Sequence, residues 1–327
     1  MIDLGFFLDS YYAFDFNRPN GTRAFTTQPV ENNRPAINLV HGEIQQQNKS
    51  FRSRLALQAG DSVERNAKTE PGAEKYIQEA YAGLNLGSKT WIDGGIFLGN
   101  IGSESWISKD NWTYTRALNL DYVPYYSAGL RLQHELSAQQ SFQLQLINGW
   151  QNVSENNSAK AIGMQYKNLL SDKKTFTYNN FFGDEQVVSR RPRFRTYHNF
   201  ILEIKNSEIW QTLFAVDFGY QSQQENNGVD AWYTGTVTIR HISSETKSLA
   251  LRLEYYNDRH QANVLSYTDN GFQVTSASLN FDQKIANNIL WRSEVRGFYS
   301  LDRIYPTQGI EKKSFDSFFA TSIAVWF

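Results

Sequence analysis

The chain has 327 residues, a formal net charge of −1 and no cysteine. This composition excludes disulfides, thiolate metal sites and cysteine nucleophiles, and it gives no electrostatic reason to expect nucleic acid as a partner. No stretch approaches the 18 consecutive apolar residues of a transmembrane helix, but a transmembrane barrel escapes that test because only alternate residues face lipid. Aromatic residues make up 15% of the chain, which is typical of proteins with aromatic girdles at two membrane interfaces.

The first predicted strand covers residues 2–16 and has two different faces. Ile2, Leu4 and the other even positions are mostly large and apolar, whereas Asp3 and Asp9 lie at odd positions. A period of two indicates a strand with two environments. The run is longer than the roughly 9–11 residues that a tilted strand needs to cross a bilayer.

Short polar turns alternate with longer connections along the rest of the chain. The short turns are predicted at 47–50, 88–89, 137–140, 171–174, 206–208, 243–247 and 284–288. The longer connections are predicted at 17–35, 61–75, 100–117, 150–160, 184–192, 222–230, 257–270 and 300–313. Asn, Ser and Lys, which favour turns, mark the short set. Seven turns and eight longer connections join sixteen strands.

Apolar and charged residues alternate in most of these strands. Leu251 and Leu253 alternate with Arg252 and Glu254, for example. An even number of strands, with short turns at one end and long loops at the other, is typical of outer-membrane barrels. We therefore predict an all-β fold, a transmembrane antiparallel β-barrel of about 16 strands with short periplasmic turns and long extracellular loops, formed by residues 1–327 as one domain. A soluble sandwich of sheets fits less well, because the second face is charged or polar strand after strand.

The last fourteen residues, 314–327, form a two-faced strand that ends on an aromatic residue. Phe319 and Val325 belong to a face that is mostly large and apolar, whereas Ala320 belongs to a smaller and more polar face. This strand resembles the closing strand of bacterial outer-membrane barrels, whose terminal aromatic residue is recognised by the insertion machinery. The resemblance implies that the barrel-assembly machinery binds the strand that ends at Phe327.

Four further stretches resemble one family. They are residues 9–17 (DSYYAFDFN), 77–84 (IQEAYAGL), 102–116 (GSESWISKDNWTYTR) and 148–160 (NGWQNVSENNSAK). Together they resemble the OmpL-like β-barrel porins of Gram-negative outer membranes. The resemblance implies an outer-membrane location and a pore, and it carries over no catalytic residue. Strand pattern begins directly after the first residue, so we expect the mature form of an exported protein without its signal peptide.

The inward face of a sixteen-stranded barrel encloses an aqueous lumen, so its charged residues are the candidate pore lining. Charges that face a channel are hydrated or paired and tune its ion selectivity. The plainer interpretation, that they are only wall residues wetted by the lumen, stays open. The candidate lining arginines are Arg52, Arg54, Arg131, Arg252, Arg292 and Arg296.

The connection predicted at 100–117 is the candidate constriction loop. It is the third long loop, and general porins fold their third loop inward to narrow the pore. Its charged residues are Glu104, Lys109, Asp110 and Arg116. We expect Glu104 and Asp110 to face arginines across the lumen and to create a transverse field there. The alternative is an outward loop whose tryptophans lie at the membrane interface or in a neighbouring subunit.

Polar or small residues interrupt the apolar outer face of the predicted barrel in two regions. A lipid-facing strand is normally apolar throughout, so such residues indicate a protein neighbour. We expect a homo-oligomer, either a trimer or a larger ring with lipid in its central hole, alongside membrane lipids as partners. The candidate interface residues are Ser10, Ser293, Gly297, Ser317 and Thr321 in one region, and Thr196 and His198 in the other.

The sequence predicts an outer-membrane porin that forms a water-filled passive channel for small hydrophilic solutes or ions. One alternative is a structural barrel with a plugged or narrow lumen that organises lipid. The other is a barrel lipid hydrolase, for which His198 is the one candidate base. The five histidines are scattered, with no pair at metal-ligand spacing. We therefore expect no metal, no cofactor and no enzymatic activity.

Overall fold

A computed structural model describes residues 2–186, 192–223 and 228–327, and nearly all of their regular structure is β-strand. Sixteen long strands are joined by hydrogen bonds into one closed sheet. They are β1 (Ile2–Asp15), β2 (Pro35–Gln47), β3 (Phe51–Ala59), β4 (Ile77–Gly87), β5 (Thr90–Leu98), β6 (Tyr126–Glu135), β7 (Gln140–Ile147), β8 (Ala161–Ser171), β9 (Lys174–Asp184), β10 (Phe194–Lys205), β11 (Trp210–Ser222), β12 (Val229–Ile242), β13 (Lys247–Asp258), β14 (Phe272–Ala286), β15 (Ile289–Ser300) and β18 (Phe315–Trp326).

A few short elements lie in the connections. Two two-residue strands, β16 (Tyr305–Pro306) and β17 (Lys312–Lys313), pair with each other in the connection before β18. The helix α1 (Asp61–Asn66) follows β3. Single turns of 3-10 helix are formed by Ala73–Tyr76, Ser108–Asp110 and Leu120–Tyr122. No helix in the described part of the chain is long and apolar enough to cross a membrane.

The barrel is closed by the pairing of its first and last strands. β1 and β18 are antiparallel, with Phe7 opposite Trp326. Phe6 and Phe327 exchange two backbone hydrogen bonds of 3.1 Å, and their rings stack at 5.5 Å. Closure leaves no unpaired strand edge, and every ladder hydrogen bond is made within the sheet. The predicted sixteen-stranded antiparallel barrel is confirmed.

The two faces of the sheet differ as the alternation predicts. Leu4 and Leu253 point outward and are 69% and 53% exposed, whereas Asp9, Asp217 and Arg252 point inward and are completely buried. An outer face of exposed apolar side chains suits a surrounding of lipid, because lipid replaces the core that such residues would otherwise need.

Short and long connections lie at opposite ends of the barrel, and both termini lie at the end with the short turns. We call these ends the short-turn end and the long-loop end. All seven predicted turns are found. The predicted connections 184–192 and 222–230 include residues 187–191 and 224–227, which lie outside the described residues.

One boundary differs substantially from the prediction. The third long connection runs over residues 99–125, whereas the prediction ended it at residue 117. Leu118, Leu120 and Val123 are buried in the interior cluster instead of pairing in the sheet. Their burial inside the barrel explains why an apolar stretch that resembles a strand belongs to a loop.

The long-loop half of the barrel contains an apolar core. Tyr11, Trp232 and Phe272 project inward from strand ends at this level and pack around Tyr114 and Leu118 of the third long connection. Because strand residues and loop residues share this core, the loops at this end pack inside the barrel mouth. The more polar half of the interior lies toward the short turns.

Candidate pore and the third loop

Residues 99–125, which we call the third loop, lie against the inner surface of β13, β14 and β15. Arg252 of β13 donates from Nη1 to the backbone oxygen of Thr115 and to Thr113 Oγ1, both at 2.7 Å. Its Nη2 atom donates to Thr115 Oγ1 at 2.7 Å. The guanidinium group therefore supplies hydrogen bonds that the loop backbone would otherwise receive from water.

Two arginines of β15 hold the loop in the same way. Arg296 donates from Nη1 to the backbone oxygen of Arg116 at 2.7 Å and to Thr115 Oγ1 at 2.9 Å. Arg292 donates from Nη2 to the backbone oxygen of Asn111 at 2.8 Å and from Nη1 to that of Ser108. Hydrogen bonds from a charged donor are stronger than neutral ones, so these contacts fix the path of the loop.

Acidic and amide side chains of the same wall accept from the loop. Glu294 accepts from the Thr115 backbone N at 2.7 Å and from Thr115 Oγ1 at 2.8 Å. Glu254 accepts from the Leu118 backbone N at 2.6 Å, and Asn280 Oδ1 accepts from the Tyr114 backbone N at 3.0 Å. The wall thus satisfies both donors and acceptors of an irregular segment inside the barrel.

The charges that hold the loop balance one another. Each arginine has a carboxylate within ion-pair distance: Arg252 lies 3.3 Å from both Glu254 and Glu294, Arg296 lies 2.6 Å from Glu254, and Arg292 lies 2.8 Å from Asp282. Three guanidinium groups therefore face three carboxylates. Buried charges persist when paired and hydrogen-bonded. We call these residues the anchoring wall: Arg252, Glu254, Asp282, Arg292, Glu294 and Arg296.

Three of the predicted lining arginines are covered by protein instead of by water. Arg252, Arg292 and Arg296 point inward as a lining requires, but their exposed fractions are only 0%, 0% and 1%. The expectation that they are wetted by the lumen is therefore not met, because the third loop occupies the space in front of them. Their role in this conformation is to bind loop backbone.

The charged residues of the third loop are arranged differently from the expected transverse field. Glu104 does meet an arginine, since its Oε1 lies 3.2 Å from Arg252 Nη1, and it also accepts from the Ala117 backbone N at 2.9 Å. Asp110 instead pairs with its neighbour Lys109 at 2.6 Å. The expectation that Asp110 faces an arginine is therefore wrong. The positive charge of Lys109 cancels most of the field that the Asp110 carboxylate would otherwise create across the lumen.

Arg116 is also placed otherwise than expected. It is buried, and its guanidinium carbon lies 4.1 Å from the centre of the Tyr125 ring. Arg116 therefore stacks within the loop and does not project into the lumen.

The wall opposite the anchoring wall keeps charges that are only partly covered. Arg52 binds Asp93 in a bidentate pair at 2.7 and 2.6 Å, and Arg131 lies 2.9 Å from the same carboxylate. Arg54 pairs with Glu43 and, at 2.9 Å, with Glu79. The side chains of Arg52, Arg54 and Arg131 are 16%, 26% and 11% exposed. We call the six residues of these pairs the paired-arginine wall.

A glycine makes room for the shared carboxylate of this wall. A Cβ atom added to Gly83 would lie 2.1 Å from Asp93 Oδ1. Since Gly83 lies opposite Asp93 in the β4–β5 ladder, any larger residue there would displace the acceptor of two arginines.

At the long-loop end the loops are tied to one another. Asp121 of the third loop accepts from the hydroxyl of Thr27 and, at 3.4 Å, from Tyr125 Oη. Burial raises the pKa of Asp121 to about 6, an effect that the Thr27 hydrogen bond partly opposes. Glu70 accepts from Tyr126 Oη at 3.0 Å and from the Val153 backbone N at 2.8 Å.

Three cavities surround the tip of the third loop. Trp112 contributes to the lining of all three, whose volumes are about 120, 240 and 250 Å³. Two of them reach short turns, through Lys173 in one and Glu245 in the other. These cavities therefore lie toward the short-turn end, away from the apolar core. A larger cavity of about 830 Å³, which includes Arg18 and Arg34, lies among the first and last long loops.

The seven candidate interface residues all lie on the outward face, but several polar groups there already have partners. Thr321 Oγ1 accepts from Trp291 Nε1 at 2.8 Å and lies 3.0 Å from Ser293 Oγ. On the other side, His198 Nδ1 lies 2.7 Å from Tyr178 Oη, and the two rings stack. The β15–β18 region contains Ser293, Gly297, Ser317 and Thr321 beside Ser10, and the β9–β10 region contains Thr196 and His198.

The described residues give no support to a metal or hydrolase site. Within them, no group of three or more His, Cys, Asp or Glu side chains could hold a metal ion. The hydroxyl that contacts His198 belongs to a tyrosine, whereas a hydrolase triad needs a serine at this position.

Sequence reasoning missed two inward-facing polar residues of β14, one in the anchoring wall and one beside it. Asp282 and Asn280 were not recognised, because the phase of β14 is ambiguous in the sequence. In the structure both alternate inward with Ser278. The alternation of Leu279 and Phe281 with these polar residues is the signal that could have found them.

Several solved structures share this barrel at very low sequence identity. The anion-selective porin from Comamonas acidovorans is 7% identical, with a TM-score of 0.70 and coverage of 100% of this chain and 99% of that chain. The trimer form of in-vitro folded OmpT from Vibrio cholerae is 10% identical, with a TM-score of 0.59 and coverage of 100% and 99%. OmpF from Salmonella typhi in complex with daunomycin is 13% identical, with a TM-score of 0.62 and coverage of 100% and 97%.

These likenesses show the fold, since none exceeds 13% identity. No curated protein matches the chain significantly in sequence. A family model does match, however, and it spans residues 1–327. The chain therefore belongs to the family described as Putative beta-barrel porin-2, OmpL-like, and it is an outer-membrane transmembrane β-barrel of the porin type.

Proposed function

We propose that this protein forms a passive diffusion channel for small hydrophilic solutes or ions, narrowed by the third loop. The observation that carries the proposal is the position of that loop. It is bound to the anchoring wall on β13–β15, whereas the arginines of the paired-arginine wall remain partly exposed. The arginine contacts of the loop all lie on the anchoring wall, and the partly exposed charges of the opposite wall are suited to contact hydrated solutes.

The charges of the paired-arginine wall support weak selectivity between anions and cations. Arg52, Arg54 and Arg131 are matched by three carboxylates. Because no net charge results, ions of either sign meet a similar potential. This channel should therefore discriminate less than the Comamonas acidovorans porin, which is described as anion-selective.

We further propose that the barrel is a homo-oligomer in contact with membrane lipids. A trimer form is described for the OmpT structure from Vibrio cholerae. The two polar outer regions, one around Thr321 and one around His198, are separated along the sheet, so they suit a ring contact that joins unlike surfaces. Such a ring is a trimer or a larger assembly with lipid in its central hole. Phe327 is 76% exposed, which leaves it available to the barrel-assembly machinery.

A second candidate is a structural barrel with a plugged lumen. The observation that favours it is the apolar core at the long-loop end, in which Tyr114, Leu118 and Leu120 are at most 2% exposed. Apolar side chains at that density exclude water. In this case the protein would organise lipid or neighbouring barrels and would not conduct.

Single-channel conductance in a planar bilayer tests the proposal. We expect the purified protein, with folding checked by heat-modifiable migration, to give stable open steps. Deletion of residues 103–112 should raise the conductance, because it removes the loop tip that borders the lumen. Deletion of the exposed residues 308–311, in the last long loop, serves as the matched control and should have little effect.

The outcomes separate the two candidates. Silence from a correctly folded sample would favour the structural barrel, and unchanged conductance on deletion of 103–112 would contradict a constriction by the third loop. Absence of calcium-dependent fatty-acid release from the same sample would remove the hydrolase alternative.

A further inference from the structure

The smallest of the three cavities around Trp112 has an unusual lining. It has a volume of about 120 Å³ and lies between the third loop and the inner faces of β10, β11 and β12. Glu104 and Asp110 of the loop and Glu203 of β10 contribute three carboxylates, and no lysine, arginine or histidine belongs to the lining in the described part of the chain. An anion would therefore be repelled here, and a cation would be attracted.

Two of the acidic groups already have cationic neighbours behind the cavity. Glu104 lies 3.2 Å from Arg252, and Asp110 lies 2.6 Å from Lys109. Glu203 differs, because among the described residues its side chain has neither an ion pair nor a hydrogen bond. An inward-facing, partly buried carboxylate without a partner is the strongest attraction that this cavity offers to a positive charge.

The β12 wall adds two hydroxyl groups without partners. Thr236 and Thr238 line the cavity and are each only 5% exposed. Within the described residues neither hydroxyl makes a hydrogen bond, although the neighbouring Thr234 donates to Asp217 at 2.8 Å. Buried hydroxyls normally have partners, so the partial negative charge of these two oxygen atoms is free to face a positively charged group in the cavity.

Apolar groups distinguish the cavity from a site for a metal ion. The indole of Trp112 and the side chain of Leu213 line the cavity together with two further polar residues, Ser103 and Asn111. Calcium and magnesium prefer shells made only of oxygen atoms, whereas an aromatic face beside carboxylates is the usual arrangement for an organic ammonium group. The volume of about 120 Å³ is several times the roughly 10–15 Å³ that a single water needs, so the cavity admits a group larger than water, such as trimethylammonium.

We propose that this cavity binds the ammonium head of a small organic cation. The larger cavity of about 240 Å³ shares Trp112 and Glu203 with it and extends to Lys173 at a short turn. The rest of the ligand lies there, toward the short-turn end. This inference goes beyond diffusion through the pore, since the cavity is reached from the short-turn end and holds a cation whether or not the lumen conducts.

Isothermal titration of the folded, detergent-solubilised protein with choline chloride tests the proposal. The neutral isostere 3,3-dimethylbutan-1-ol is the control ligand, because it has the same shape without the charge. We expect measurable binding of choline and at least tenfold weaker binding of the alcohol. Glu203→Gln should weaken choline binding about tenfold or more, and Trp112→Leu should weaken it about five- to thirtyfold.

Glu208→Gln is the matched control variant. Glu208 is an exposed residue of the short turn between β10 and β11 and lines neither cavity, so the affinity for choline should stay within about twofold. Equal affinities for choline and the alcohol, no binding of choline, unaltered affinity in Glu203→Gln, or displacement of choline by equimolar calcium would each overturn the proposal. The heat of choline binding does not depend on conductance. A failure of the cation-binding proposal can therefore be distinguished from a failure of the channel proposal.

Discussion

Substitution of Arg292 by methionine should release the segment of the third loop around Ser108. Arg292 donates to the backbone oxygens of Ser108 and Asn111 while its Nε and Nη2 bind Asp282 at 2.8 and 3.0 Å. Each hydrogen bond from a charged donor is worth about 1.5–3 kcal/mol. The two loop contacts together therefore contribute about 3–6 kcal/mol to docking, and their loss should raise the population of the undocked segment by about two to four orders of magnitude.

Thiol labelling measures this population directly, because the chain has no cysteine of its own. Ser108 is completely buried, so in Ser108→Cys the new thiol reacts only when the segment leaves the wall. We expect slow labelling in Ser108→Cys alone and labelling that is at least a hundredfold faster when Arg292→Met is added, together with higher single-channel conductance.

Arg131→Met is the matched control for this experiment. Arg131 is also an inward-facing arginine with a carboxylate partner, at 2.9 Å from Asp93, but it makes no hydrogen bond or ion pair with the third loop in the described structure. Labelling of Ser108→Cys should therefore be unchanged by Arg131→Met. An equal labelling rate with and without Arg292→Met would refute the anchoring role of Arg292.

Three further predictions concern pH, assembly and oligomer formation. The pKa of Asp121 is raised to about 6 from its ordinary value of 3.8, so its contribution to loop docking is complete below about pH 4 and is lost as pH rises through 6. The rate of thiol labelling of Leu120→Cys, divided by that of the exposed Ser137→Cys, should increase between pH 5 and 8. Asp121→Asn should abolish that increase. If the increase persists in Asp121→Asn, a group other than Asp121 causes it. Deletion of Phe327, which removes the stacking on Phe6 and two closing hydrogen bonds, should lower the yield of heat-modifiable barrel in cells severalfold; an unchanged yield would argue against recognition of this residue. His198→Leu should reduce the oligomer to smaller species by native mass spectrometry while the barrel stays folded, whereas Phe218→Leu on the adjacent β11 should not.

The barrel itself could be predicted from sequence because its two environments alternate at every residue. Leu251 and Leu253 face outward, whereas Arg252 and Glu254, which alternate with them, face inward. A shift of one residue would place charges in lipid, so the pattern determines the register strongly. Turn residues such as those at 88–89 then mark where each hairpin reverses.

The third loop could not be predicted to the same extent. Leu118 and Leu120 are apolar at alternate positions, which suits a strand, yet they pack against the interior cluster. Periodicity reports that a residue is buried from water, but it does not distinguish lipid outside the barrel from a core inside it. The end of this loop at Tyr125 depends on that distinction.

The environment of an inward-facing charge is equally invisible in the sequence. Arg54 and Arg252 occupy the same kind of position, but the side chain of Arg54 is 26% exposed and that of Arg252 is completely covered. The difference arises because the third loop passes in front of β13 and not in front of β3. Only long-range contacts, such as the one between Arg252 and Thr115, decide which arginines meet water.

These shared contacts make the docking of the third loop cooperative. Arg252 binds Thr113 and Thr115 of the loop at the same time as Glu254 and Glu294 of the wall. Undocking therefore leaves several buried charges with fewer partners at once, and a partly undocked loop carries the cost of unsatisfied groups without the benefit of full hydration. For this reason the loop and the anchoring wall behave as one polar network, and the width of the lumen depends on that network as a whole.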